Sequence, residues 1–460
     1  MKKALVLALV FVMALASSVF AANVSGTIGL EISNERADES FKNGFLKGFQ
    51  APTLSISLEA DGGDVNWSFE GGFAADKVGE EFPNFVLDKY LFKLDDEWID
   101  LYLWGNDYEL SDKGTALGLL NAGKAASAAN DRVRLVVDAI DPVTLTADYT
   151  NDNLFLFVDA KIAGYEAGVA YNRIGSKIDD TFQLDKGTFN TVGLWGRANI
   201  DMFTIEADVA STLDAKKTVD GKQTEGLAFA YSGKVTAKVT DEVSLWAQYT
   251  GAQPEFKPAK DKGVFVAGAQ YQDASLQVKA ENTFTIAQDA EKGANKTTLT
   301  AYYRFSEKLA YNRLFGATTW YTNDAPAIGA TANLKDFKLQ DATLQVASPV
   351  VEDMVWARAR VKYDPIYKDE KNAPSATETS HEFEIGAYGY VKPVEKVIIK
   401  PSVEYFTLED KIDVASSFNY LVGGNNDVVL SLGLKKTFAA SKDSSVQQDE
   451  IITAGVEISF

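Results

Sequence analysis

The chain has 460 residues, a formal net charge of −20 at pH 7 and no cysteine. The excess of acidic residues argues against nucleic acid as a partner, because phosphate backbones require a basic surface. Without cysteine the chain forms neither a disulfide framework nor a thiolate metal site, so burial or strand closure must stabilise it.

The first residues have the pattern of a secretory signal peptide. Two lysines precede an unbroken apolar run from Ala4 to Ala16, and small residues suited to cleavage end at Ala21. The run is shorter than the about 20 residues that a membrane-spanning helix needs, although an anchor helix retained in the mature protein is the alternative. We predict a signal peptide over 1–21 and one domain over 22–460.

Beyond the signal, the chain repeats one pattern: about ten residues of alternating polarity and then a turn. In one such segment Val133, Leu135 and Val137 alternate with arginines and Asp138. Because successive side chains of a strand point to opposite sides, each segment has one apolar and one polar face. A tilted strand needs about 9–11 residues to cross a bilayer, whereas strands of soluble proteins usually have about five or six. The repeat therefore predicts membrane-spanning strands.

The connections alternate between short and long. The short ones are rich in glycine, proline and aspartate, which favour turns; they lie at 61–64, 95–97, 141–142, 163–164, 201–202, 241–242, 273, 306–308, 349–353, 392–396 and 423–426. The longer ones include 33–52, 109–131, 174–187, 213–224, 252–263 and 364–380. Eleven short turns and twelve outer connections predict an all-β, antiparallel, up-and-down transmembrane barrel of 24 strands, with 22 to 26 as the accepted range.

Three placements in this scheme depend on weaker patterns. We interpret 327–334 as a loop and Ile412 to Val422 as a strand. Pro401 falls inside a predicted strand, and because proline cannot donate to a strand ladder, we expect a bulge or weakened pairing there.

Charged residues cluster on the polar face of the predicted strands. Charges on neighbouring strands face each other at about 5 Å. They therefore form a ladder of ion pairs or the lining of a charged lumen, and the two interpretations are compatible. An arginine facing lipid at the bilayer midplane would cost about 2–4 kcal/mol, so this face must be the inner one. The predicted channel-lining residues are Arg132, Arg134, Asp138, Arg197, Arg304, Arg358, Arg360, Lys362, Glu382, Glu384, Lys400 and Glu404.

The final strand has apolar residues at alternate positions up to a terminal aromatic: Ile452, Ala454, Val456, Ile458 and Phe460. This ending resembles the C-terminal signature of outer-membrane β-barrel proteins of the porin type, which often have tyrosine where this chain has Ile458. The resemblance implies a place in the bacterial outer membrane, contact with its lipid, and recognition of the last strand by the barrel-assembly machinery. It also implies a homotrimer, for which the sequence shows no interface signature.

A barrel of more than about 16 strands is too wide for its own side chains to fill and leaves an aqueous channel unless something plugs it. The predicted strands begin at Val24, which leaves no room for an N-terminal plug. The segment 109–131 is the longest outer connection and carries many small apolar residues. It is also the third outer loop, which folds inward in the general porins that the chain resembles; a surface helix or a lid at the mouth is the alternative.

The sequence favours passive diffusion of ions and small polar solutes through a porin-like channel. Catalysis, cofactors and metal ions are not expected, because His381 is the single histidine and no phosphate-loop, dinucleotide or calcium-loop motif occurs. A Ser–His pair with His381 stays open from the sequence alone. Two other functions are a structural or adhesive outer-membrane barrel with a closed lumen and a secreted, soluble all-β protein.

Overall fold

The structure is a computed structural model that describes most of the chain between Asn23 and Ser459. The described residues are 23–37, 53–61, 65–75, 85–105, 113–120, 132–150, 153–174, 189–219, 222–256, 261–288, 293–306, 320, 325–367, 379–422, 428–441 and 449–459. The predicted signal peptide, the terminal Phe460 and most of the segment 109–131 lie outside them.

The described residues form 24 strands in a single sheet, in which neighbours in the chain are antiparallel neighbours in space. The strands β1 to β24 are, in order, Asn23–Ala37, Thr53–Asp61, Val65–Ala75, Phe85–Asp96, Ile99–Gly105, Arg132–Ile140, Val143–Tyr149, Asn153–Ile162, Tyr165–Ile174, Phe189–Ile200, Phe203–Val219, Lys222–Lys238, Val243–Ala252, Asp261–Gln272, Leu276–Ala287, Ala294–Arg304, Ala327–Lys335, Lys338–Val351, Val355–Tyr367, Thr379–Val394, Val397–Phe406, Lys411–Val422, Val428–Ala439 and Asp449–Ser459. In the part of the chain that the structure describes, no helix is both long and apolar enough to cross a bilayer.

The sheet closes on itself where the first strand meets the last. β1 pairs with β24 in antiparallel register from Thr27 opposite Ser459 to Ala37 opposite Asp449. The hydroxyl oxygens of Thr27 and Ser459 lie 3.4 Å apart across this seam. Closure leaves the sheet without an edge strand, and it is the condition under which β-structure can sit in hydrocarbon, because every strand then has two hydrogen-bonding neighbours.

The prediction of an antiparallel, up-and-down barrel of 24 strands is confirmed, as is a strand over Ile412 to Val422, which is β22. The turns predicted at 141–142, 163–164, 201–202, 241–242 and 273 are connections between strands.

The interpretation of 327–334 as a loop is wrong, because these residues lie in β17. Its outward positions include Ala330 and Ala332, and such small side chains hide the alternation of polarity. The predicted short turn at 306–308 is also wrong, since β16 ends at Arg304 and pairs directly with β17, which begins only at Ala327. The two errors cancel in the strand count.

The prediction of an outer loop over 213–224 is wrong as well. β11 continues to Val219 and β12 begins at Lys222, and the two residues pair directly. The lysines of this hairpin suggested a loop, but strands that extend past the membrane into water can be polar on both faces. β1 and β19 likewise run into the predicted connections 33–52 and 364–380.

The expected irregularity at Pro401 is confirmed. Pairing between β20 and β21 passes from Tyr388 opposite Ser402 to Val391 opposite Ile399, and no pair forms at Pro401. Gly389 lies across from the proline ring, and a Cβ at that position would come within 2.9 Å of the ring carbon Cγ. Glycine therefore gives the ring its room.

Several tight turns use backbone in the left-handed region. Ala163 and Gly164 have φ values of 48° and 87°, and Asp336 and Phe337 have 50° and 62°. Two-residue hairpins favour positive φ at both central positions because this turn matches the twist of the flanking strands. The Asp336–Phe337 turn makes the β17–β18 connection short, although it lies on the side of the long outer loops.

The two faces of the barrel differ in chemistry. Outward positions carry large apolar side chains, such as Leu194, which is 61% exposed, and Leu432, which is 53% exposed. Arg358 and Arg360 occupy the opposite face, as the strand register from β19 to β24 shows. A closed barrel with an apolar exterior and a charged interior is built to span a membrane, because apolar surface faces lipid and charges stay away from it.

Candidate functional site

The candidate site is the inner wall of the barrel. The register places all the predicted lining residues at inward positions; for example, Arg304 aligns with Ala327, Ala347 and Arg358 along one row across β16 to β19. The structure brings most of these residues into three groups of charged and aromatic side chains, all within the described residues.

The first group, the outer arginine cluster, consists of Trp104, Arg132, Arg134 and Asp148. Arg132 and Arg134 donate to the Asp148 carboxylate over 3.0 and 2.9 Å, and both guanidinium groups lie over the indole ring of Trp104. Arg134 is only 1% exposed. Two arginines that share one carboxylate leave the cluster with a positive charge at the outer ends of β5 to β7.

The second group, the turn-side ion cluster, consists of Glu166, Arg197, Glu206 and Lys234. Arg197 binds Glu166 on β9 over 3.2 Å and Glu206 on β11 over 2.9 Å, and Lys234 on β12 reaches Glu206 at 3.5 Å. Four adjacent strands are thereby connected near their short turns. Charges of opposite sign thus alternate along this row, which is the arrangement that a ladder of ion pairs requires.

The third group, the tyrosine cluster, consists of Arg358, Arg360, Glu384, Tyr388 and Glu404. Arg360 pairs with Glu384 and, at 3.1 Å, with Glu404. The Tyr388 hydroxyl donates to Glu404, and the Arg358 guanidinium lies 4.8 Å from the centre of the Tyr388 ring. The predicted facing of charges on β19, β20 and β21 is therefore present in the structure.

The remaining predicted residues have separate neighbours. Thr144 donates to Asp138, Arg304 donates to the carbonyl of Ala274 over 2.6 Å, and Lys362 lies 3.6 Å from Asp364. Glu382 aligns with Asp364, and the Lys400 ammonium lies 5.7 Å from the centre of the Tyr390 ring.

The sequence analysis missed several partners of the arginines: Asp148, Glu166, Glu206 and Tyr388. Each lies at an inward position of the strand next to its arginine, so the alternation of the neighbouring strands carries the signal.

The described part of the third outer loop, 113–120, lies inside the barrel. The backbone N–H groups of Leu117 and Leu119 donate to the Asp208 carboxylate on β11 over 3.0 and 3.3 Å. Leu120 is 0% exposed, and a Cβ at Gly193 on β10 would come within 2.8 Å of it. The expectation that the loop folds inward is confirmed for this part, which we call the inward segment.

Part of the wall beneath the inward segment is apolar, although buried polar side chains such as Asn172 and Thr191 lie on the same strands. Phe155, Phe157 and Trp195 are buried, and the ring centroids of Phe157 and Trp195 lie 6.0 Å apart in stacked geometry. The same buried cluster contains the small side chains of Ala170, Ala210, Ala228, Ala230 and Ala252. Leu119 and Leu120 belong to the same buried cluster. Apolar residues at inward positions mark the wall sector that the segment covers, which sequence reasoning did not identify.

A second connection places a side chain against the inner wall, at the end of the barrel that has the short turns. Trp320 belongs to the connection between β16 and β17, is 7% exposed, and has its ring centre 6.0 Å from the Arg358 guanidinium. Ala327 and Ala347, on the same inward row as Arg358, are also buried. The 305–326 connection therefore contributes at least one bulky side chain to the inner wall near the short turns.

The single histidine takes part in a ring contact on the outer face. His381 stacks on Tyr363 with ring centroids 5.8 Å apart, and its Nδ1 lies 2.7 Å from the Tyr363 hydroxyl. Both residues share the outward face with Phe383 by register. Among the described residues, no group of three or more histidine, aspartate or glutamate side chains has a geometry that could hold a metal ion.

The closed sheet, the apolar exterior and the ionic inner wall define the class of the molecule: it is a transmembrane β-barrel. No protein-family model matches the chain, and neither does any curated protein sequence.

Solved structures that are similar to the chain include three large pores and receptors. The P pilus usher (PapC) translocation pore is 8% identical with a TM-score of 0.43, and the similarity covers 95% of this chain and 99% of that one. The FrpB iron transporter from Neisseria meningitidis is 11% identical with a TM-score of 0.47, over 95% and 82%. The siderophore receptor PirA from Pseudomonas aeruginosa is 8% identical with a TM-score of 0.48, over 95% and 80%.

Proposed function

We propose that the protein is a porin-like channel for the passive diffusion of ions and small polar solutes across the outer membrane. The observation that carries the proposal is the width of the barrel. A closed barrel of 24 strands is wider than the about 16–18-stranded barrels that already leave an aqueous channel. A wall of charged side chains keeps such an interior wet.

The inward segment sets the size limit in this proposal. It is buried against β8 to β13, so it removes one sector of the lumen from solvent. The outer arginine cluster and the tyrosine cluster line the wall elsewhere, and the turn-side ion cluster lies on β9 to β12 nearer to the short turns. Solutes then pass between the covered sector and the charged wall opposite, and their access depends on size and hydration rather than on a specific binding pocket.

Assembly and partners belong to the same proposal. The last strand pairs with both β23 and β1, so its insertion completes the barrel. We propose that the barrel-assembly machinery recognises β24, because the pairing of this strand with β1 closes the barrel. We also propose a homotrimer, and this part of the proposal rests only on the resemblance to porins.

Planar-bilayer recording tests the proposal. We expect the purified, refolded protein to give discrete conductance steps in salt solution, and vesicles that contain it to admit small sugars. A heat-unfolded sample of the same preparation is the control and should be silent. A folded protein that gives neither steps nor solute entry would remove the channel.

A structural or adhesive barrel with a closed lumen is the second candidate. The observation that favours it is that the wall is covered from both ends, by the inward segment and by Trp320. This candidate predicts a folded, membrane-inserted protein without solute entry in the same vesicles.

A further inference from the structure

The inner wall has a shallow cavity on β21 to β24 that none of the three clusters includes. Its volume is about 240 Å³, which suits a small ion or a single functional group rather than a large ligand. Its lining residues are Lys400, Ala415, Ser416, Ser417, Gly433, Leu434, Lys435, Ile451 and Thr453.

Small residues at inward positions create this cavity. Lys400, Ser417, Gly433 and Thr453 align in one register row across the four strands. Gly433 leaves the floor without a side chain, and a Cβ there would overlap the hydroxyl of Thr453. Glycine therefore does two things: it opens the floor and lets the Thr453 hydroxyl lie over it.

The polar side chains around the cavity are mostly hydrogen-bond donors. Lys400 and Lys435 supply two ammonium groups, and Ser417 and Thr453 supply two hydroxyls. Asp413, outside the cavity, holds the Lys435 ammonium at 3.2 Å, and the Tyr390 ring lies beside Lys400. None of the described residues that line the cavity is acidic. Two hydroxyl donors and two ammonium groups, one of them paired with Asp413, surround the open floor and are complementary to an oxygen anion.

We propose that this cavity is a binding site for an oxyanion, the carboxylate or phosphate group of a small solute. Lys400 and Lys435 bind the charge from two sides, and the hydroxyls of Ser417 and Thr453 donate to its oxygens. Ile451 gives the cavity one apolar side, which can contact the carbon part of an organic acid. As a step in permeation, the site rests on the proposed channel function; as a binding site, it does not.

Equilibrium binding to the detergent-solubilised, folded barrel tests the site directly. Isothermal titration with inorganic phosphate, and separately with acetate, is carried out on the wild type and on Lys400→Gln, Lys435→Gln and Gly433→Ala. We expect each lysine variant to bind roughly fivefold more weakly, the change that about 1 kcal/mol of ion-pair energy gives. Gly433→Ala fills the floor without a change of charge and should also weaken binding.

Lys296→Gln is the matched control, because Lys296 faces the lumen from β16, away from the cavity. It removes the same charge and should leave binding unchanged. Equal weakening in Lys296→Gln and Lys400→Gln would mean general attraction by the lumen and would overturn the site, as would no binding to the wild type. Binding of phosphate without acetate, or the reverse, identifies which of the two groups the cavity takes.

A parallel recording separates this inference from the proposed function. If the wild type gives conductance steps and phosphate reduces the current less in Lys400→Gln than in Lys296→Gln, both stand. If it binds phosphate but gives no steps, the channel function fails and the site stands. If it conducts and binds neither anion, the channel stands and the site fails.

Discussion

Asp148 is the carboxylate that two buried arginines share in the outer arginine cluster. Both guanidinium groups also pack on Trp104, so the carboxylate and the ring together fix their positions. A buried charge that loses its counter-charge is costly, because neither water nor another group replaces it at once. We therefore expect Asp148 to contribute strongly to stability in this part of the wall.

Asp148→Asn keeps the size of the side chain and removes its charge. We expect the free energy of unfolding to fall by about 3 kcal/mol, because Arg132 and Arg134 both lose the carboxylate that binds them. Urea titration followed by tryptophan fluorescence measures the change.

Asp364→Asn is the control for this experiment. Asp364 lies 3.6 Å from Lys362, and both side chains are 39% exposed. An exposed ion pair of this kind contributes about 0.2–1 kcal/mol, so the urea concentration at the midpoint of unfolding should hardly change. Equal losses in the two variants would contradict the view that burial makes Asp148 important.

At the scale of elements, the inward segment is held to the wall by a small number of polar contacts. The Asp208 carboxylate accepts the N–H groups of both Leu117 and Leu119, while Leu119 and Leu120 pack on the apolar sector. Hydrogen bonds to a charged group contribute about 1.5–3 kcal/mol each. The carboxylate is thus the part of the attachment that a single substitution can remove.

Asp208→Ala should release the inward segment. Loss of both hydrogen bonds should raise the population with the segment detached at least about tenfold, since about 1.4 kcal/mol already changes an equilibrium tenfold. We expect larger single-channel conductance and entry of larger sugars into vesicles than in the wild type.

Asp214→Ala is the matched control on the same strand. Asp214 also accepts two hydrogen bonds, both from Asn190 at 2.9 and 2.8 Å, but neither comes from the inward segment. Its conductance should equal that of the wild type. A rise of the same size in both variants would indicate general loosening of β11 rather than release of the segment.

The strands differ in how well the sequence predicts them. Strands such as β6 and β23 are predictable because large apolar residues alternate with mostly charged, polar or small ones. β17 is not, because Gly329, Ala330 and Ala332 give no contrast between its faces. The inward position of a charged side chain can be predicted from the alternation of side chains along its strand. The position of Trp320 cannot, because it depends on the path of a long connection. The apolar wall under the inward segment breaks the alternation and is explained only by its contact.

At the scale of the whole molecule, the barrel depends on a seam between residues that are far apart in the chain. β1 must meet β24 across nearly the whole length of the sequence, and contacts between residues so far apart in the chain form slowly. The register at this seam is specific: Thr27 lies opposite Ser459, and a shift by one residue would turn every side chain of the strand to the other face.

A disulfide across the seam tests closure and register together. The chain has no cysteine of its own, so Thr27→Cys with Ser459→Cys places the only two thiols at facing positions. Directly paired residues of antiparallel strands have Cα atoms about 4.5–5.5 Å apart, within the range that a disulfide bridges. We expect mild oxidation to form the bond in the folded barrel, and the compact band in SDS gels to persist to a higher temperature than after reduction.

Thr27→Cys with Ile458→Cys is the control, because neighbouring residues of a strand point to opposite faces. This pair should stay reduced in the folded protein under the same oxidation. Efficient crosslinking of the control pair would place the seam one residue out of register and turn the inner wall of β24 outward. Absence of crosslinking in the Thr27 and Ser459 pair, in a folded protein, would mean that the sheet is open, and an open sheet could not keep its edge strands in hydrocarbon.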